Sequence, residues 1–227
     1  MASPSQVAPK VAAKPFEFMT VAHLTRIGNQ IASNLAELVR GLEQCSDASI
    51  FHHTFQTLGM HHFLTEGFSN DFAQWVYAAT NRNELAEQLA TLDIRDYVSL
   101  AELRSDLRRL VADYCAAYPQ FAQQTALESF YFCESVEATM PLGLRAATLP
   151  EFRAALDKLS YASFYFHFIS SRLRLHLKTN DFSQWLAAEL GLDGLAANVN
   201  RIDIYTNTLD GVRARMARLI DREIARG

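Results

Sequence analysis

The chain has 227 residues, 49% hydrophobic and 20% charged, which excludes a disordered polymer and allows a sizeable core. Its net charge of -4 argues against nucleic acid as a partner, because such binders carry a basic face. No apolar run reaches the ~18 residues of a membrane span, and no signal-peptide pattern opens the chain. Cys45, Cys115 and Cys133 are an odd set without metal-ligand spacing, as in a reducing compartment. The expectation is therefore a cytoplasmic protein with no membrane partner.

Residues 1–14 lack periodicity and are expected as a disordered tail. Phe16 and Phe18 alternate at period two, as do Phe130 and Phe132, so short extended segments are expected at 16–18 and 130–132. Asn34 followed by Glu37 predicts a capped helix over 35–45; Thr148 with Glu151 and an early Pro150 predicts another over 149–159. Ser46 and Ser160 open predicted helices over 48–65 and 161–178, and the first of these carries His52, His53, His61 and His62. Asn70-Asp71 and Asn180-Asp181 read as capped starts of helices bearing Phe72 with Trp75, and Phe182 with Trp185. Further helices are predicted over 83–92 and 194–202, and over 100–117 and 209–225. Asp93 and Asp203 read as turn or cap residues.

These elements form two series. From Phe16 to Trp75 and from Phe130 to Trp185 the residues match in register: His53 with His167 and His62 with His176 at an offset of 114, then Asp71 with Asp181 and Trp75 with Trp185 at 110. The expectation is a tandem duplication, with repeats at 15–118 and 130–227 around a linker at 119–129. No βαβ pattern appears, so the expected fold is all-α. Two roughly five-helix units would pack as one pseudo-two-fold domain, each covering the other's apolar faces.

On a regular helix the four histidines point in different directions. His53 and His62 fall on opposite faces, so one ion cannot share them; metal helices place ligands at i and i+3 or i+4. A site across the pseudo-two-fold is the sharper expectation. There His53 and His167 would meet, flanked by Gln56, Thr57, Ser170 and Ser171, as a polar pocket for a small ligand or a divalent metal. The competing expectation is that each ring is a buried group fixed by a backbone carbonyl or a repeated carboxylate. Asp71 and Asp181 are read first as caps and second as acids meeting a histidine. Trp75 and Trp185 are read first as core anchors and second as stacking platforms. Arg172 and Arg174 occur in the second series alone, as a ligand contact or an exposed edge.

The stretches Ser49–Phe55, Asn70–Trp75, Tyr165–Leu175 and Asn180–Leu186 resemble a prokaryotic family of unknown function. That family is duplicated and helical, with a histidine-rich first copy and Asn-Asp-Phe plus Trp in both. The resemblance covers nearly the whole chain after Phe16. It implies architecture and carries no activity. The functional expectation is a helical module binding a small ligand or protein partner. The alternatives are a His/Asp or divalent-metal enzyme and a structural protein that assembles as a homo-oligomer.

Overall fold

The structure, a computed structural model, describes residues 10–57 and 68–226. Helices dominate, but the fold is not all-α as expected. Two 17-residue strands, β1 (Phe16–Ala32) and β2 (Phe130–Ala146), pair as a two-stranded sheet. Glu17 pairs with Arg145 and Arg26 with Glu134, so the strands run antiparallel. The extended segments expected at 16–18 and 130–132 are the first residues of these strands. Beyond them the side chains are mostly exposed, Leu24 and Ile27 included. A strand that buries neither face shows no hydrophobic alternation. Gly28, Pro141 and Gly143 obscure it further.

The helices come in two series. After β1 come α1 (Leu35–Gln44), α2 (Asp47–Phe51), α3 (Asp71–Thr80), α4 (Asn83–Ala90), α5 (Leu100–Ala117) and the single turn α6 (Pro119–Ala122). After β2 come α7 (Leu149–Leu156), α8 (Tyr161–Tyr165), α9 (Ser171–Leu175), α10 (Asp181–Ala188), α11 (Asp193–Asn200) and α12 (Leu209–Ile224). The starts obey their side chains. Asn34 accepts from the Glu37 amide at 2.9 Å, and Thr148 with Glu151 closes a reciprocal capping box.

The histidine helices are not regular. His52–Gln56 and Phe166–Ser170 are π-helical turns. One extra residue per turn rotates the rest of the helix, so the 100° rule misplaces side chains beyond His52. The second of these helices ends at Leu175, and His176 stands exposed in the left-handed region with φ 51°. His62 lies outside the described residues.

The described residues form two compact units. One takes those within Met1–Ala22 and Ala138–Gly227, the other His23–Glu137. Each strand is thus divided, its first half with the helices of the other series. In the His23–Glu137 unit, Phe130 and Phe132 of β2 enter the core against Phe72 and Trp75; Phe130 lies 5.1 Å from Phe72 between ring centroids. In the other unit, Phe16 and Phe18 of β1 pack among Phe152, Phe182 and Trp185. Burying each of these rings stabilises its unit by about 1.5–3 kcal/mol. Four residues in the expected tail or linker are also tied down. Ala12 donates to the Ala147 carbonyl and Lys14 to Glu189, while Ala126 and Leu127 donate to the carbonyls of Ser33 and Ala79.

Candidate functional site

His53 is 4% exposed, and both of its ring nitrogens are occupied. Nδ1 lies 2.8 Å from Asp71 Oδ2, and Nε2 accepts the backbone N–H of Cys133, on β2, at 2.9 Å. An acceptor Nε2 puts the proton on Nδ1, where the carboxylate receives it. Thr57 Oγ1 also donates to Asp71 Oδ2, at 2.9 Å. Two residues after Cys133 the strand is Ser135, and five residues before Cys133 the chain is held again. There the Trp75 indole donates to the Glu128 carbonyl at 2.8 Å. His53, held by Asp71, clasps β2 at Cys133, and Trp75 holds the chain just before β2 begins.

The other unit repeats this chemistry. His167 Nδ1 lies 2.7 Å from Asp181 Oδ2, and Nε2 accepts the Met19 N–H, on β1, at 2.8 Å. Ser163 donates to the carbonyl of the same Met19, so helical side chains satisfy both backbone groups of that residue. The Trp185 indole donates to the Lys14 carbonyl at 2.9 Å.

The local sequence explains the positions. Asn70 and Asn180 are the N-caps, accepting from Ala73 and Ser183 at 2.9 Å. Asp71 and Asp181 are therefore not caps. As first residues of their helices they are freed to face the histidine, and each carboxylate sits at the positive end of a helix. The tryptophans are core anchors with a polar end, at 8% and 7% exposure.

Each ring spends its two nitrogens inside its own unit. Gln56 accepts from His52, with Nδ1 and Oε1 2.9 Å apart. Arg174 pairs with Asp181 and lies 3.8 Å over the Phe166 ring. Arg172 is buried, reaching Asn200 at 2.9 Å. Arg174 is exposed, whereas Arg172 is not an exposed edge. Sequence reasoning passed over the strand amides of Cys133 and Met19. The offset of 114 that pairs His53 with His167 also pairs Met19 with Cys133.

Two further features adjoin the clasp of the His23–Glu137 unit. A cleft of about 450 Å³ opens beside α3, lined by Asp71, Gln74, Trp75, Ala78, Glu128 and Phe130 among others. Beside His53, burial holds the His52 imidazole below its usual pKa and pushes the Cys133 thiol up, with the Asp71 charge adding to the latter. Burial, and then the neighbouring His52, likewise lowers His23.

Fold and site together define a mostly helical protein with a long two-stranded ribbon, in which a buried histidine, held by a half-buried aspartate, clasps one strand in each unit. The chain belongs to the family of unknown function DUF5752, matched over residues 13–221. It is similar to OrfY from Thermoproteus tenax, a solved structure, with a TM-score of 0.81 and 28% identity over 94% of this chain and 97% of that one. No curated protein matches it. Among the described residues no helix is long and apolar enough to cross a membrane.

Proposed function

We propose that this protein is a binding module whose repeated histidines are structural and whose ligand enters the cleft beside α3. The observation that carries this reading is the double occupancy of each repeated ring. A general base needs a nitrogen within reach of the substrate's proton. His53 and His167 instead give one nitrogen to a carboxylate and the other to a strand amide. The close parallel between the units supports an origin by tandem duplication, with the clasp as the part that both copies retain.

The cleft offers a different chemistry. Asp71 and Gln74 stand on one wall, Glu128 on another, and Trp75 and Phe130 supply aromatic surface. Both described hydrogen bonds to Asp71 use Oδ2. Carboxylates and an amide carbonyl accept hydrogen bonds, and aromatic rings cover apolar ligand faces. The matching ligand is small and rich in donors, with hydroxyl or ammonium groups.

Calorimetric titration with glucose and with putrescine tests the two sources of such donors. Glu128→Gln leaves the backbone carbonyl that Trp75 uses and removes the side-chain charge. Binding of either probe, weakened at least fivefold by Glu128→Gln or Gln74→Ala, supports the reading. The reading fails if neither probe binds, or if binding ignores both substitutions.

A further inference from the structure

We propose a second site in the His23–Glu137 unit: a thiophilic d10 cation held between His52 Nε2 and Cys133 Sγ, beside the clasp of His53. The donor atoms of His52, His53 and Cys133 all lie within 4.8 Å of one another. Zinc-like bonds of about 2.0 Å to nitrogen and 2.3 Å to sulfur place two donors about 4.3 Å apart when linear, and nearer when trigonal. For a linear pair, His52 and Cys133, a contraction of about half an ångström, within the reach of side-chain torsions, closes the site. So wide a spread favours low coordination, which suits a soft monovalent ion such as Cu(I), although Zn(II) shares the donor chemistry.

His52 is prepared for this role. Its Nδ1 lies 2.9 Å from the Gln56 side-chain oxygen, which places the proton on Nδ1 and the lone pair on Nε2. The ring is 7% exposed. Among the described residues no hydrogen bond reaches His52 Nε2 or Cys133 Sγ. His53 stands perpendicular to His52, with centroids 4.8 Å apart, and its Nε2 already points at the Cys133 residue through the backbone amide.

The other unit provides an internal contrast. Around His167 the same two places hold Phe166, perpendicular at 5.0 Å, and Met19, whose amide bonds Nε2. Arg174 then lies over Phe166 with its positive charge. That surrounding repels a cation, yet its clasp is intact. The clasp therefore does not require an imidazole at residue 52 or a thiol at residue 133, and their presence calls for another account.

Binding exchanges a proton for the metal. The Cys133 S–H bond breaks, the sulfur lone pair forms the S–metal bond, and one proton leaves to solvent. No electron is transferred when the ion is supplied as Cu(I).

The test uses the full chain, kept reduced and anaerobic, in competition with a chromophoric chelator for Cu(I) and, separately, for Zn(II). Native mass spectrometry reports stoichiometry, and proton release is titrated alongside. The expected result is one equivalent of one of the two ions, with about one proton released per ion. His52→Phe and Cys133→Met copy the residues of the other unit and so preserve the clasp. Their combination should keep the circular dichroism spectrum and weaken the ion at least a hundredfold. Retained binding in the folded double variant overturns the proposal, as does failure of both ions to compete with the chelator. Cu(I) or Zn(II) taken up by the parent and lost in the variant supports it and names the ion. Neither outcome depends on the ligand cleft, whose probes carry no metal.

Discussion

Replacing His167 with phenylalanine isolates the polar work of the clasp. The variant keeps a ring of similar size among Phe16, Phe18 and Phe182, so little apolar burial is lost. Two hydrogen bonds disappear. The one from Nδ1 to the Asp181 carboxylate is charge-assisted, and such bonds contribute about 1.5–3 kcal/mol. The loss of Nε2 strands the Met19 N–H, and an amide buried without an acceptor costs about 1–3 kcal/mol. Arg174 remains on Asp181, and Ser163 remains on the Met19 carbonyl, which moderates the sum. The expected loss is about 3 kcal/mol, a large part of the ~5–15 kcal/mol that stabilises a domain. Urea unfolding monitored by far-ultraviolet circular dichroism at 25 °C measures it, and hydrogen exchange at the Met19 amide locates it. A change below about 0.5 kcal/mol with unaltered protection at Met19 would refute a structural clasp and return His167 to the candidates for catalysis.

Two other perturbations probe the same architecture. Gly41→Ala should destabilise the protein by about 1–3 kcal/mol, read as a lower melting temperature. The new methyl would stand 2.3 Å from the Phe132 ring, outweighing the ~0.5–1 kcal/mol that alanine gains over glycine in a helix; an unchanged or raised melting temperature would mean that Phe132 is not held as described. Glu134→Gln should act in a pH-dependent way. The Ser46 hydroxyl, and then Arg26, hold the Glu134 carboxyl below its usual pKa, so its contribution is complete above the unfolded value of about 4.3 and fades as pH falls through the lower folded value. Arg26 is 71% exposed, so the difference from the parent should stay below about 1 kcal/mol at pH 7 and vanish in acid, as denaturation at the two pH values will show.

The helix starts were legible in the sequence because caps are local: Asn34, Ser46, Thr148 and Ser160 each bond an amide three residues on. The long strands were not, because their central residues bury no consistent face and so leave no period to read. The clasp was half legible. A carboxylate meeting each histidine was among the expectations, but the acceptor role of Nε2 was not, since its partner is a backbone amide contributed by a strand 80 residues from His53 and 148 from His167. A π-turn adds one residue that no sequence pattern announces, and it falls at His53 and at His167.

The division of the strands has a consequence for the order of events during synthesis. The His23–Glu137 unit is continuous, so it can close as soon as Glu137 has left the ribosome. Its companion needs both ends of the chain. Phe16 and Phe18 emerge early, but the π-turn that receives Met19 and the tryptophan that receives Lys14 arrive more than 140 residues later. At about 5–20 residues per second this leaves a greasy N-terminal strand without its seat for roughly ten to thirty seconds. The strand residues Phe16–Met19 are thus enclosed late.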